Sequence, residues 1–204
     1  MYKMPYYTEH DREAIIDFMK QHNFAFITGV GDEYPVATQV PVEIIEEGEK
    51  LFLSGHIMRK TDHQLAFEKN EHVLVIFHSP HAYINANWYS EPAGGSTVNY
   101  MSVHAKGIIR LLDETGTRAA VEEVTNRHIG KGTPASFENI SEEYISSMVK
   151  AIVGFRIEVT ALQNVFKLSQ NRNAADQASI IEQLEKRNKP GDVFIAGKMK
   201  ERLQ

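Results

Sequence analysis

The sequence predicts a mainly β protein, a β-barrel with peripheral helices. Short apolar segments recur between tight turns, Gly and Pro punctuate them, and few connections are long enough for the crossovers that parallel strands require. At 204 residues the chain can bury one sizeable core, and a single barrel can use its whole length.

Taken in order, Thr8 followed by Asp11 has the form of a capping box. Ile15, Ile16, Phe18 and Met19 then share one side of a short helix ending near His22. FAFITG, a turn at Gly31 and Asp32, and YPVATQVPVEI read as a hairpin whose second strand Pro35 and Pro41 force to an edge or make irregular. An EEGE turn leads into KLFLSG, and polar residues 59–70 give one or two helical turns before the buried strand HVLVIF. SPHAYI leads to a Gly- and Pro-marked loop, NANWYSEPAGGST. A long or bent strand follows, VNYMSVHAKGIIRLL, with Gly107 a candidate bulge. Residues 113–127 read as helix, KGTPASFEN as loop, ISEEYISSMVK as helix and AIVGFRIEVTAL as an alternating strand. FKLSQNR then precedes a helix from about Ala174 to Arg187. The expected organisation is a barrel domain over residues 1–188 and a C-terminal tail over 189–204. Six basic and two acidic residues in 186–204 read as a solvated terminal helix.

Composition narrows the function classes. With 22 Lys plus Arg against 27 Asp plus Glu, the net charge of -5 repels a phosphate backbone, so whole-surface DNA binding is disfavoured. The absence of cysteine removes disulfides, thiolate nucleophiles and Cys-ligated metals, and fits a cytoplasmic location. The first segment is charged where a signal peptide needs an apolar core, and no apolar run approaches the ~20 residues that span a bilayer. No GxGxxG follows a strand, and no GxxxxGK[ST], GxSxG or HExxH occurs. A Rossmann site, a P-loop and these hydrolytic centres are therefore set aside.

Four segments carry candidate chemistry. SGHIMRK places Ser54, Gly55, His56, Arg59 and Lys60 after a strand, where two cations and the amides of a following helix start suit a phosphate monoester; a solvated turn explains the same residues. His78, His81 and His104 imitate a metal site, but no carboxylate lies in the same segment and no metal is expected. Trp88, Tyr89, Asn99 and Tyr100 surround a Gly-rich loop, suiting either a flat aromatic ligand or a barrel corner. KLSQNR gathers Lys167, Ser169, Gln170, Asn171 and Arg172 between a strand and a helix, as helix capping or as anion and amide recognition.

Together, SPHAYINANWY, STVNYMSVHAKG, IVGFRIEVTALQNVFKLSQNR, MYKMPYY and PVATQVP resemble the PaiB-type FMN-binding negative transcriptional regulators over nearly the whole chain. That family is similar to the FMN-binding split β-barrels that include pyridoxamine phosphate oxidase. The resemblance implies a homodimer with FMN at the subunit interface. It also implies that Thr38, Gln39, Ser54, Gly55 and His56 border the ring and ribityl chain, with Arg59 and Lys60 on the phosphate. Asn99 and Tyr100 would belong to the same site, and Gln170, Asn171 and Arg172 would face the ring or its substrate. Val98 stands where the family has tryptophan, and Thr61 and Asp62 where Asn-Pro is frequent, so a large stacking surface is missing.

The function expected from this resemblance is that of a dimeric FMN-binding regulator, with DNA as a partner. No helix-turn-helix supports direct operator binding. The alternative is a flavin-dependent oxidoreductase without direct DNA binding, whose catalytic residues the sequence does not identify.

Overall fold

Asp11, not Thr8, starts the first helix of the computed structural model, which describes residues 4–91 and 94–203. The Asp11 carboxylate accepts from the Glu13 amide at 2.9 Å. Thr8 is engaged further back, its hydroxyl donating to the Met4 carbonyl at 3.3 Å at the end of a 3-10 turn, Pro5–Tyr7. The elements that follow are α1 (Arg12–Gln21), β1 (Phe24–Gly29), β2 (Val36–Pro41), β3 (Glu43–Glu47), β4 (Lys50–Met58), α2 (Asp62–Lys69), β5 (His72–His78) and β6 (Ala82–Ile84). A 3-10 turn (Ala86–Trp88) precedes β7 (Thr97–Leu111), α3 (Glu114–Ile129), a 3-10 turn (Phe137–Asn139), α4 (Glu142–Ala151), β8 (Ile152–Lys167), α5 (Ala174–Arg187) and α6 (Pro190–Arg202). The first three residues of MYKMPYY, with Pro92 and Ala93 of the Gly-rich loop, lie outside the described residues.

The contacts group into two units. Unit 1 comprises Met1–Asp17, His78–Val103 and Gln163–Gln204, and unit 2 comprises Phe18–Phe77 and His104–Leu162.

Unit 2 carries the curled sheet. The strand order is β2-β1-β5-β7-β8-β4-β3. β2 and β3 stand at opposite ends of that order, yet Val42 alone separates them in the chain. One residue cannot span a flat seven-strand sheet, so the sheet must curl until its two ends meet. The hydrogen-bonded path is open between them, as in a split barrel. β2 is an end strand, which explains how Pro41 is tolerated within it and Pro35 just before it. Inward residues alternate with period two. Val73, Val75 and Phe77 are buried on β5, and Leu51, Leu53 and Ile57 on β4.

Gly107 answers a close approach: a Cβ there would lie 2.4 Å from Ile157 Cγ2 and 2.7 Å from the Glu158 carbonyl oxygen on β8. α3 and α4 pack around Phe137, with Val121, Ile145, Val149 and Ile152 forming a side core. The buried Glu43 carboxylate on β3 pairs with Arg127 of α3, so the charge under that helix is neutralised.

In unit 1, β6 pairs with the start of β7, Tyr83 opposite Val98. Asn173 caps α5 through the Asp176 amide at 2.8 Å, and left-handed Asn188 ends it. Pro190 at the start of α6 then turns the chain back. Arg187 donates to both Asp192 carboxylate oxygens, at 2.7 and 2.5 Å, and locks the two helices together. Ile195, Ala196 and Met199 are buried, so the segment read as a solvated tail presents an apolar face to the core of unit 1.

Gly107→Ala should cost about 1–3 kcal/mol in urea unfolding, because a methyl group meets the β8 backbone. Gly197→Ala, with open space around it in α6, should be neutral or stabilising. Equal midpoints for the two variants would show that close approach at Gly107 does not matter.

Candidate functional site

β4 carries Ser54, Gly55 and His56, three of the sequence candidates of unit 2. Ser54 lies between Glu43 on β3 and Arg156 on β8, and His56 lies opposite Gly154. Gly55 is required by packing, since a Cβ would lie 2.8 Å from the Phe155 ring and 2.9 Å from the Pro41 carbonyl oxygen. The same approach brings the end of β2 to β4. Thr38 and Gln39 sit on β2 opposite Ile27 and Phe26, half-buried and exposed respectively. Burial holds the His56 imidazole below its ordinary pKa, so the ring is neutral near pH 7.

Beyond β4 the Arg59 amide donates to the Ala151 carbonyl at 2.9 Å, and Lys60 takes a left-handed conformation with φ 61°. The Gln64 side-chain oxygen accepts the Lys60 amide at 2.8 Å and holds that turn. Neither the Arg59 guanidinium nor the Lys60 ammonium has an ion-pair partner among the described residues.

Two of the helix-start amides that the sequence offered to a phosphate are already used. His63 N–H donates to the Asp62 carboxylate at 2.7 Å and Gln64 N–H to the Thr61 hydroxyl at 3.4 Å. Recognition of an anion here therefore falls to the two side chains.

In unit 1 the candidates divide differently. Asn99 is completely buried, exchanging hydrogen bonds with the Ser169 hydroxyl at 2.9 and 3.1 Å, with Met199 Sδ at 3.7 Å from its amide nitrogen. It ties β7 to the turn after β8, and Ser169 adopts φ 60° to meet it. Gln170 closes its own turn, accepting from Leu168 N–H at 2.7 Å and donating to the Phe166 carbonyl at 2.6 Å. Asn171 accepts from the Tyr7 hydroxyl at 3.1 Å.

Tyr100 is half-buried, alternating with buried Asn99 and Met101 along β7. Arg172 stacks its guanidinium 3.9 Å above the Tyr89 ring and makes no ion pair. Sequence reading missed the contribution of Tyr7 to this cluster; its signal was the PYY triplet standing before a polar break. Among the described residues no group of three histidine or carboxylate side chains lies close enough to hold a metal ion.

A family model described as "Putative FMN-binding domain" matches residues 1–161. The Bacillus subtilis protein named protease synthase and sporulation protein PAI 2 is 31% identical over 210 residues, covering 100% of this chain and 99% of that protein. The chain belongs to this FMN-binding domain family. FMN is the cofactor that the family's description assigns. Two solved structures share the fold. The flavocytochrome Anf3 of Azotobacter vinelandii has a TM-score of 0.63 at 13% identity, over 87% of this chain and 78% of that one. The FAD and heme binding protein of Mycobacterium smegmatis has a TM-score of 0.60 at 16% identity, over 84% and 78%. The split barrel is thus the common framework, and chemistry specific to this family member must come from its own side chains.

Asn99→Ala should lower stability by about 1–3 kcal/mol, because the buried Ser169 hydroxyl loses its partner. Thermal unfolding of the FMN-free protein measures this. Wild-type stability with weakened FMN binding would instead make Asn99 a ligand contact.

Proposed function

We propose that the chain is a dimeric FMN-binding regulatory protein of the cytoplasm whose flavin phosphate is held by Arg59 and Lys60. The observation that carries this reading is a pair of cations without acidic partners, on a turn fixed by Gln64 and beside the neutral, half-buried His56. A phosphate dianion supplies the missing charge, and charge-assisted hydrogen bonds to a guanidinium are among the stronger polar contacts available. Thr38, Gln39, Ser54 and His56 offer hydroxyl, amide and imidazole groups to a ribityl chain and the polar edge of a flavin ring. Asn99, Gln170 and Asn171 are engaged within the fold. Bound FMN supplies hydride or single-electron transfer; the protein supplies position and electrostatics.

The dimer rests on the motif resemblance, and a groove of mixed apolar and charged lining in unit 2 offers surface for a second copy. The groove, of about 560 Å³, lies between the β1–β2 turn and α2, with Tyr34 73% and Leu65 50% exposed. The regulatory role rests on the motif resemblance and on the full-length relative from B. subtilis.

The second reading, a flavin-dependent oxidoreductase without direct DNA binding, is favoured by the basic C-terminal segment. Its Lys198, Lys200 and Arg202 pair with Glu201, Glu185 and Glu9, and Arg187 with Asp192. Cations neutralised in this way release few counterions from DNA. Bleaching of the bound flavin by reduced pyridine nucleotide with turnover would favour the redox reading. An electrophoretic shift of upstream DNA would favour direct regulation.

Arg59→Ala should weaken FMN binding about tenfold or more while changing riboflavin affinity little, with Lys60→Ala following more weakly because its ammonium is exposed. Fluorescence titration with both ligands measures the difference. Equal losses for FMN and riboflavin would place the phosphate elsewhere.

A further inference from the structure

Unit 1 contains a second pair of cations, Lys167 and Arg172, that no carboxylate meets at ion-pair distance among the described residues. Lys167, at the end of β8, donates to the Thr97 hydroxyl and lies 5.6 Å from the centre of the Tyr7 ring. It forms no ion pair among the described residues, and burial pulls its pKa below the ordinary lysine value. The Tyr7 hydroxyl reaches Asn171 at 3.1 Å, and the neighbouring Arg172 is near enough for its charge to act on that hydroxyl. Arg172 is held flat by the Tyr89 ring at 3.9 Å, which leaves the in-plane N–H donors of the guanidinium available.

Two features point to a ligand. Tyr89 is 4% exposed, yet its hydroxyl has no hydrogen-bond partner among the described residues, an expensive state for a buried polar group. The loop beside the guanidinium carries glycine at 94, where a Cβ would lie 3.3 Å from both terminal nitrogens of Arg172; any side chain there would press on the donors. Asp176, whose carboxyl the Ser90 hydrogen bonds and, to a smaller extent, the Arg172 charge hold below its ordinary pKa, makes no ion pair with Arg172 and accepts instead from the Ser90 amide at 2.7 Å and the Asn173 side chain at 3.3 Å.

We propose that Lys167 and Arg172, supported by Tyr7 and Tyr89, form an oxyanion site in unit 1 that takes the carboxylate or phosphate of a small second ligand. Arg172 supplies a bidentate fork, Lys167 a point charge, and the tyrosine rings a flat apolar wall for the ligand body. These residues differ from those assigned to the FMN phosphate, and the site stands whether or not that assignment is correct.

Calorimetric titration of the full chain, at fixed ionic strength with and without saturating FMN, tests this with inorganic phosphate and, separately, with benzoate. Binding of either anion to FMN-saturated wild type is expected, and the anion that binds identifies the source. Lys167→Ala and Arg172→Ala should each weaken it about tenfold, and Lys69→Ala, which removes an exposed cation paired with Asp32, should leave it unchanged. Arg172→Gln, which keeps a planar head on Tyr89, provides the same test if the alanine variant melts early. FMN affinity should stay near wild type in the Lys167 and Arg172 variants. Binding of neither anion, wild-type anion affinity in these variants, or a loss of FMN affinity as large as that in Arg59→Ala would overturn the proposal. The riboflavin comparison for Arg59→Ala separately decides the flavin reading.

Discussion

The corner at Val42 governs the geometry of unit 2. Its side chain is completely buried and its amide donates to the Asn23 carbonyl at 2.8 Å, while β2 and β3 leave it toward opposite ends of the strand order. Because one residue joins those ends, β4 is brought against the end of β2. Only glycine at position 55 lets the Pro41 carbonyl and the Phe155 ring come so close. The approach of the β2 end to the strand that carries His56 is a consequence of that curl.

A second constraint operates in unit 1, where polar residues do the work of packing. Asn99 and Ser169 satisfy one another in a dry environment, and the Arg187–Asp192 pair joins α5 to α6. Ser169 stands between Lys167 and Arg172 in the chain, so its contact with Asn99 fixes the turn that carries both cations. The two unbalanced cations are therefore presented by a rigid frame, so an anion meeting them need not order the chain first.

Much of this was legible in the sequence because local rules and tertiary packing agree. The apolar run HVLVIF marked the buried strand β5, the helix expected from about Ala174 to Arg187 is α5, and the prolines put β2 at an edge. α6 was misread because charge counting hid its pattern: Ile195, Ala196 and Met199 share a helix face, while the cations on the other side find carboxylates. The KLSQNR cluster was conspicuous, but residue type alone could not divide it. Gln170 bonds within its own turn and Asn171 meets Tyr7, 164 positions away in the chain, leaving Arg172 with its donors open. The amides at the start of α2 were misjudged for a similar reason, since Asp62 and Thr61 reach them first.

The central claim is that this split barrel binds FMN and does so as a dimer. Its most direct measurement is sedimentation of the purified protein with added FMN, followed at the visible absorption of the flavin. Flavin absorbance should sediment with a species of twice the chain mass, at about one FMN per chain. Flavin remaining free in solution, or travelling with a monomer at micromolar protein, would contradict it.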